Sequence, residues 1–211
     1  MKTQAILFPI VMAAAALFLA GCDDSNSPLS DPEKSKADER LAGVWRHQDR
    51  HGNVTYYHIG AVGDKLPGGV MGVVTVTHTQ GGKIQRPGQI LVFPTTIAGK
   101  SYLNVTGGEE KHFKKIADEG WGSVGGYILL KYQVEKDALV VWPMDRQAKE
   151  QAIKAGKIPG QIDKEGPIKK TRFTGTTEEL ARLVADEGDA LFSTKAVRME
   201  RVAPGRAAAA R

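Results

Sequence analysis

The sequence predicts an α+β fold that is mainly antiparallel β. We expect a curved sheet or small barrel of about eight or nine strands, with two helices before the last strand. Two observations predict it. Short segments rich in β-branched and aromatic residues recur along the chain, separated by turn residues at intervals typical of hairpins in series. Helical periodicity begins only after most of these segments, so strands and helices do not alternate as in a parallel α/β fold.

Eight segments carry the strand pattern. The clearest is 127–134, in which Leu130 and Tyr132 alternate with Lys131 and Gln133, so that one face of the strand is apolar and the other polar. Short turns of Gly, Asp, Asn and Lys separate several of the others. The predicted strands are 41–50, 54–59, 70–79, 84–93, 100–106, 127–134, 139–143 and 196–202.

Two helices are predicted before the last strand. Asp145 can cap the first, which ends at Gly156. Thr176 and Glu179 form a capping box for the second, which ends near Gly188. Two longer charged segments are predicted to be connections: 107–122 and 157–172.

The N-terminal residues differ in composition from the rest of the chain. A basic start precedes an uncharged apolar run that is too short to span a bilayer and contains Pro9, which is typical of a secretory signal peptide, here 1–21. Residues 22–40 are polar and include two prolines, which predicts a flexible tether. A single β-rich domain is then predicted over 41–203, with a disordered tail at 204–211.

The end of the apolar run identifies the kind of signal peptide. Leu19-Ala20-Gly21-Cys22 resembles the lipobox of bacterial lipoproteins. That resemblance implies cleavage before Cys22, diacylglycerol on its thiol and acylation of the new amino group. The mature chain would then be anchored in a bilayer through Cys22, and because this is the only cysteine, no disulfide is expected.

The residues after Cys22 bear on localisation. Asp23 resembles the signal that keeps a lipoprotein of enteric bacteria in the inner membrane, which implies the periplasmic face of that membrane. The alternative is the inner leaflet of the outer membrane, with Asp23 and Asp24 simply beginning a polar tether.

A second resemblance lies at the start of the domain. Leu41-x-Gly43-x-Trp45 resembles the first-strand motif of lipocalins and lipocalin-like bacterial domains. It implies that Trp45 plugs the closed end of a barrel and that an Arg of the last strand, Arg198 or Arg201, packs over it. The chain departs from lipocalins in lacking their disulfides and in carrying two helices before its last strand. The stretch from 127 to 201 also resembles small uncharacterised bacterial lipoproteins, which implies no function.

The polar residues do not predict catalysis. His47 and His51 have a spacing that suits a metal on a helix, but they lie in strand and turn sequence, and Glu109 with His112 lacks a second pair of ligands. There is no nucleophile elbow and no phosphate-binding loop. We therefore expect no metal, no cofactor and no enzyme, the less favoured alternative being an active site assembled from distant residues.

The sequence therefore predicts a binding or accessory module of the cell envelope. The net charge of +5 makes the chain basic, but no aromatic-plus-basic motif for nucleic acid is present. One hypothesis is a barrel whose mouth carries a small apolar ligand; the other is docking on an envelope protein through the basic segment 154–172. The alternative to the first hypothesis is that the aromatic residues fill the core, and the alternative to the second is that the basic segment is a solvated loop.

The predicted partners are the bilayer and an envelope protein, and the oligomeric state is left open. The candidate contact residues are Trp45, Tyr56, Tyr102, Phe113, Trp121 and Arg201.

Overall fold

The computed structural model describes residues 24–62, 66–67, 69–108, 110–123, 125–163 and 170–202. The predicted signal peptide, Cys22 and the tail at 204–211 lie outside these residues. No helix of the described part of the chain is long and apolar enough to cross a membrane.

Eight strands form a closed antiparallel barrel, which confirms the predicted fold class. Their order around the barrel is β1-β10-β7-β6-β5-β4-β3-β2, a meander that closes where Trp45 of β1 pairs with Arg201 of β10. The strands of the barrel are β1 (Gly43–Gln48), β2 (Val54–Ala61), β3 (Met71–His78), β4 (Gly88–Ile97), β5 (Lys100–Gly107), β6 (Ile128–Val134), β7 (Ala138–Pro143) and β10 (Val197–Arg201).

Both predicted helices are confirmed, with the predicted caps. They are α2 (Arg146–Lys154), where the Asp145 side chain accepts from the Ala148 amide at 2.9 Å, and α3 (Thr177–Glu187), where Thr176 and Glu179 form the capping box. They lie between β7 and β10, and the insertion that contains them packs against the outer wall of the barrel.

The two segments predicted to be connections contain regular structure. Helix α1 (Glu110–Glu119) lies within 107–122, and a separate hairpin of β8 (Gly160–Asp163) and β9 (Lys170–Phe173) lies within 157–172. Isolated segments this short and polar do not hold their structure. Here Ile116 of α1 and Phe173 of β9 are buried in a shared core, so tertiary packing stabilises them.

The barrel wall separates two hydrophobic cores, because successive side chains of each strand point to opposite faces. The inner core lies inside the barrel and includes Leu41, Trp45, Tyr57, Met71, Val73, Ile90, Val92, Leu103, Val105, Leu130, Tyr132, Leu139, Val141 and Met199. The outer core lies between β4–β6 and the insertions and includes Leu29, Leu91, Phe93, Tyr102, Ile116, Tyr127, Leu129, Phe173, Leu180, Val184 and Phe192.

The segment before β1 differs from the flexible tether that its composition predicts. From Asp24 onward it lies against the outer wall, with Leu29 buried in the outer core and its amide donating to the Asn104 side chain at 2.6 Å. It ends in a 3₁₀ helix, Glu39–Leu41, that places Leu41 in the inner core. A few buried contacts are enough to order a polar segment when the wall supplies partners for its backbone.

Candidate functional site

The closed end of the barrel is built around Trp45. Its side chain is fully buried, its indole N–H donates to the Leu41 carbonyl at 2.7 Å, and the Arg201 guanidinium lies 4.0 Å from the centre of its ring. This confirms the predicted burial and the predicted cation–π contact, and selects Arg201 as the partner. Arg198 points outward and pairs with Glu135 at 2.8 Å.

The geometry of this end explains the glycine of the motif. Gly43 has a φ of +126°, and a β-carbon there would lie 2.9 Å from Nη1 of Arg201. The Arg201 guanidinium also donates to the carbonyls of Ala42 at 2.9 Å and Arg40 at 2.5 Å. A glycine is therefore required where the chain turns into β1, because Arg201 occupies the space beside it.

Asp38 and Tyr132 form a polar contact at the same end. The Tyr132 hydroxyl donates to the Asp38 carboxylate at 2.9 Å, and the Arg40 guanidinium donates to both carboxylate oxygens. The hydrogen bonds from Arg40, aided by the one from Tyr132, hold the pKa of Asp38 below its ordinary value despite partial burial. Burial and the nearby carboxylate raise the pKa of Tyr132.

Toward the other end of the barrel, polar side chains of the inner wall are hydrogen-bonded to each other. Thr55 and Thr77 lie opposite each other on β2 and β3, and their buried hydroxyls form a hydrogen bond of 2.9 Å. Tyr57 follows Thr55 on the inner face, and burial raises its pKa to about 12. The inner face is thus apolar with its few polar groups satisfied, which is the chemistry of a packed core.

The structure does not bring the candidate aromatic contacts together. Tyr56 lies on the outer surface, and its ring packs edge-on against His78 with 5.8 Å between the ring centres. The ring of Tyr102 packs against that of Phe192, with 5.4 Å between the ring centres. Trp121 packs on the outer core. The side chain of Phe113, in α1, is outside the described residues. Tyr102 and Trp121 therefore belong to the outer core, and among the candidate residues whose side chains are described, Trp45 and Arg201 are the pair in contact.

The outer wall carries an open groove of about 510 Å³ across β1–β4. Gly60 and Gly72 pair across β2 and β3 and leave a depression, with no atom within 4 Å of the place a β-carbon of Gly60 would occupy. Val62 lies over Gly72, and Val74 is 38% exposed. The lining is mainly apolar: Gly43, Val44, His58, Ile59, Gly60, Ala61, Val62, Gly72, Val73, Val74, Gln89, Ile90 and Gly108.

Sequence reasoning missed this groove. Its signal is a pair of glycines that face each other, and this becomes visible only when the register of β2 on β3 is known. The insertions cover the wall at β4–β6, whereas the groove lies on a part of the wall with exposed valines, since Val202 beside Val44 is also 36% exposed. The groove is therefore an apolar surface that no described part of the chain covers.

A second, polar pocket of about 470 Å³ lies outside β5–β7. Asp189 pairs there with Lys131 at 3.0 Å and with Lys100 at 3.2 Å, and these contacts hold the pKa of Asp189 below its ordinary value. The Lys131 ammonium also lies 4.4 Å from the centre of the Trp142 ring. The positive charges of this pocket are thus engaged by Asp189 and Trp142, so it does not present a free anion site.

The first described residues join β6 to the insertion. The Asp24 and Ser25 amides donate to the Tyr127 carbonyl at 2.7 and 3.1 Å, and the Tyr127 amide donates back to Ser25 at 2.8 Å. On the other side the Phe173 amide donates to the Asp24 carbonyl at 2.9 Å. The Asp24 carboxylate accepts from the Leu129 amide at 3.0 Å and forms a buried ion pair with Lys149 of α2. We call this set of contacts the N-terminal clamp.

No metal-binding arrangement is evident within the described residues, where no three His, Cys, Asp or Glu side chains are grouped to hold an ion. The comparisons with known proteins add no family. No protein-family model, no curated protein and no solved structure matches this chain. The function is therefore argued from the site alone.

Proposed function

We propose that this chain is a bacterial lipoprotein, anchored through acylated Cys22, whose barrel is a non-catalytic binding or accessory module of the cell envelope. The anchor is supported by the Leu19-Ala20-Gly21-Cys22 motif after a short apolar run. Two or more acyl chains at one residue hold a protein stably on a bilayer. The periplasmic face of the inner membrane follows from Asp23, with the inner leaflet of the outer membrane as the alternative.

The observation that carries the binding role is the groove, which no described part of the chain covers. Its volume of about 510 Å³ is in the range of binding sites, and its lining is mainly apolar. Because Gly60 and Gly72 lack side chains, an apolar segment can approach the β2–β3 backbone closely. Exposed Val74 and Val202 extend the apolar surface beyond the groove. The occupant we propose is a short apolar segment of an envelope protein.

Photo-crosslinking in cells tests this role. A photoreactive residue replaces Val74 in the groove, and in a matched strain it replaces Glu178, which is exposed on α3. We expect a discrete protein adduct from position 74 only. The Gly60→Val variant fills the groove at a position with open space and should reduce that adduct several-fold without changing the melting temperature.

The same strains test the anchor. Mass spectrometry of the mature protein should find cleavage before Cys22 and acyl chains on it, and the Cys22→Ser form should be neither acylated nor membrane-bound. Equal adducts from positions 74 and 178, or an adduct that Gly60→Val leaves unchanged, would overturn the groove as the binding surface. A mature chain without acyl groups would overturn the anchor.

A lipocalin-like carrier of a small apolar ligand is the second candidate. The observation that favours it is the closure of one barrel end by Trp45 and Arg201, together with an apolar inner wall. Solvent extraction of the purified protein, followed by mass spectrometry, should then recover a ligand in stoichiometric amount. Protein that yields no ligand and does not bind a fluorescent fatty acid would rule out this candidate.

A further inference from the structure

The N-terminal clamp limits how far the barrel can lie from its anchor. Asp24 is only two residues after Cys22, and its backbone is hydrogen-bonded on both sides, to Tyr127 and to Phe173. Two extended residues span about 7 Å. If Cys22 carries lipid, as proposed above, the surface around the clamp is held at the bilayer and a long tether does not separate the two.

The clamp lies on a basic stretch of the chain that runs from α2 to β9. Residues 145–173 contain eight Lys and Arg against four Asp and Glu, a net charge of +4, whereas α3 in the same insertion has a net charge of −3. Two of the exposed lysines of the stretch pair with Glu150 and Glu187. Two elements of the stretch take part in the clamp: α2 provides Lys149, and β9 provides the backbone of Phe173. The exposed basic side chains among the described residues of the stretch are Arg146, Lys154, Lys157 and Lys170.

The groove lies on the opposite side of the barrel. The clamp is attached to β6, and in the closed order β1-β10-β7-β6-β5-β4-β3-β2 the strand four places from β6 in either direction is β2. Gly60 and His58 of the groove are on β2. A bilayer at the clamp therefore leaves the groove facing away from the lipid.

We propose that the clamp holds the barrel on the membrane in one orientation, with the exposed basic side chains of α2 and β9, Arg146, Lys154 and Lys170, on anionic phospholipid headgroups and the groove directed away from them. Charge complementarity selects the partner, because a juxtamembrane basic surface is attracted to anionic lipid and the attraction falls off within a Debye length. The clamp contacts α2 at Lys149 and β9 at Phe173, the two elements that carry these basic side chains. The orientation also presents the groove to partners in the aqueous compartment.

Single-cysteine labelling of the acylated protein tests the orientation. Because Cys22 is the only cysteine and its thiol is acylated, an introduced cysteine is the only free thiol. We would label Lys170→Cys on β9 and, as the matched control, His58→Cys on β2, since both native side chains are exposed. The acylated proteins are reconstituted in phosphatidylcholine vesicles containing phosphatidylglycerol and headgroup-linked quencher. Quenching should be several-fold stronger at 170 than at 58.

The lipid preference is tested by charge reversal. In the labelled proteins, the Arg146→Glu, Lys154→Glu double variant should lose the difference between positions when phosphatidylglycerol is present, and the Arg146→Lys, Lys154→Arg variant should retain it. Added salt should reduce the difference in the unaltered chain. A position difference that is the same with and without phosphatidylglycerol would overturn the headgroup contact.

Failure of this inference is distinguishable from failure of the proposed function. Equal quenching at 170 and 58 on protein that is acylated and vesicle-bound would overturn the fixed orientation and leave the anchor intact. Protein that carries no acyl chain and does not bind vesicles would overturn the anchor itself, and with it the orientation.

Discussion

Lys149 and Asp24 form an ion pair that is buried on both sides, with 6% and 9% of the two side chains exposed. The pair joins the first described residue of the chain to helix α2, 125 positions later. No sequence pattern predicts this pair, because Asp24 lies in polar sequence and Lys149 lies in an ordinary amphipathic helix. The ion pair shows that the chain from Asp24 onward belongs to the folded domain.

Replacing Lys149 with Met should destabilise the protein by about 3 kcal/mol, because removing one partner leaves a buried carboxylate without its cation. Urea unfolding measures the change, and hydrogen exchange should show faster exchange of the amides at 24–30. The control is Lys154→Met, whose side chain is 66% exposed and pairs with Glu150. Its effect should stay within about 0.5 kcal/mol. Equal effects of the two substitutions would contradict the buried pair.

Gly43 and Gly60 should respond in opposite directions to substitution by Ala. Gly43→Ala places a side chain at a φ of +126° and 2.9 Å from Arg201, so we expect a loss of about 1–3 kcal/mol. Gly60→Ala enters open space within β2 and should be neutral or stabilising by up to about 1 kcal/mol. Thermal unfolding compares them, and a Gly43→Ala protein as stable as the unaltered chain would refute the account of the motif.

Arg201→Gln should cost about 2–3 kcal/mol, because it removes the half-buried cation from the buried Trp45 ring and the charged donor from two carbonyls. Arg198→Gln is the matched change on the same strand. Its side chain is 60% exposed and pairs with Glu135, so the effect should be under about 1 kcal/mol. Denaturant unfolding of both variants measures the difference. If Arg198→Gln were the more damaging change, the barrel end would not depend on Arg201.

Asp38 should make the protein sensitive to acid. Its pKa is lowered in the folded state, so its contribution to stability is complete above the ordinary carboxyl range and is lost as the pH falls through the folded value. The unaltered chain should therefore exceed Asp38→Asn in stability at neutral pH, and the gap should close below about pH 4. Urea midpoints across the acid range measure this gap. A constant gap would show that the carboxylate charge does not matter.

Tyr57 should make the protein sensitive to alkali. Burial raises its pKa to about 12, whereas an unfolded tyrosine ionises near pH 10. A raised folded pKa stabilises the native state below the unfolded value, and this contribution is lost as the pH rises from about 10 to 12. Over this pH range the Tyr57→Phe variant should lose about 2 kcal/mol less folding stability than the unaltered chain. Unfolding curves at rising pH compare the two proteins, and parallel losses would contradict the prediction.

Much of the barrel could be predicted from residue patterns. Alternation in 127–134 and the turn residues between strands specify antiparallel hairpins, and the caps at Asp145 and Thr176 locate α2 and α3. The closed end followed from Gly43-x-Trp45 together with an arginine near the end of the domain. These signals act between neighbours in sequence or belong to one recognisable motif, so they can be identified without the tertiary structure.

The site residues were harder to predict. Tyr102 and Trp121 were expected at a ligand-binding mouth, but which face of a strand or helix is covered depends on what packs against it. Likewise, the groove forms where Gly60 pairs with Gly72, and this register cannot be read from the sequence. Aromatic residues in a β-rich chain therefore indicate burial and do not by themselves indicate the side of the wall on which they are buried.

The sequence by itself determined the class of fold and the two capped helices, because alternation, capping and turn chemistry operate over a few residues. The contact of Trp45 with an arginine of the last strand was implied by the resemblance of Leu41-x-Gly43-x-Trp45 to the lipocalin motif. Only the tertiary structure decided that α1 and the β8–β9 hairpin form, that Asp24 is clamped to Lys149, and that one wall of the barrel is left with an open groove. The physical reason is that a short polar segment acquires its structure from the surface that buries it. For Asp24 that surface is assembled from residues more than 100 positions away.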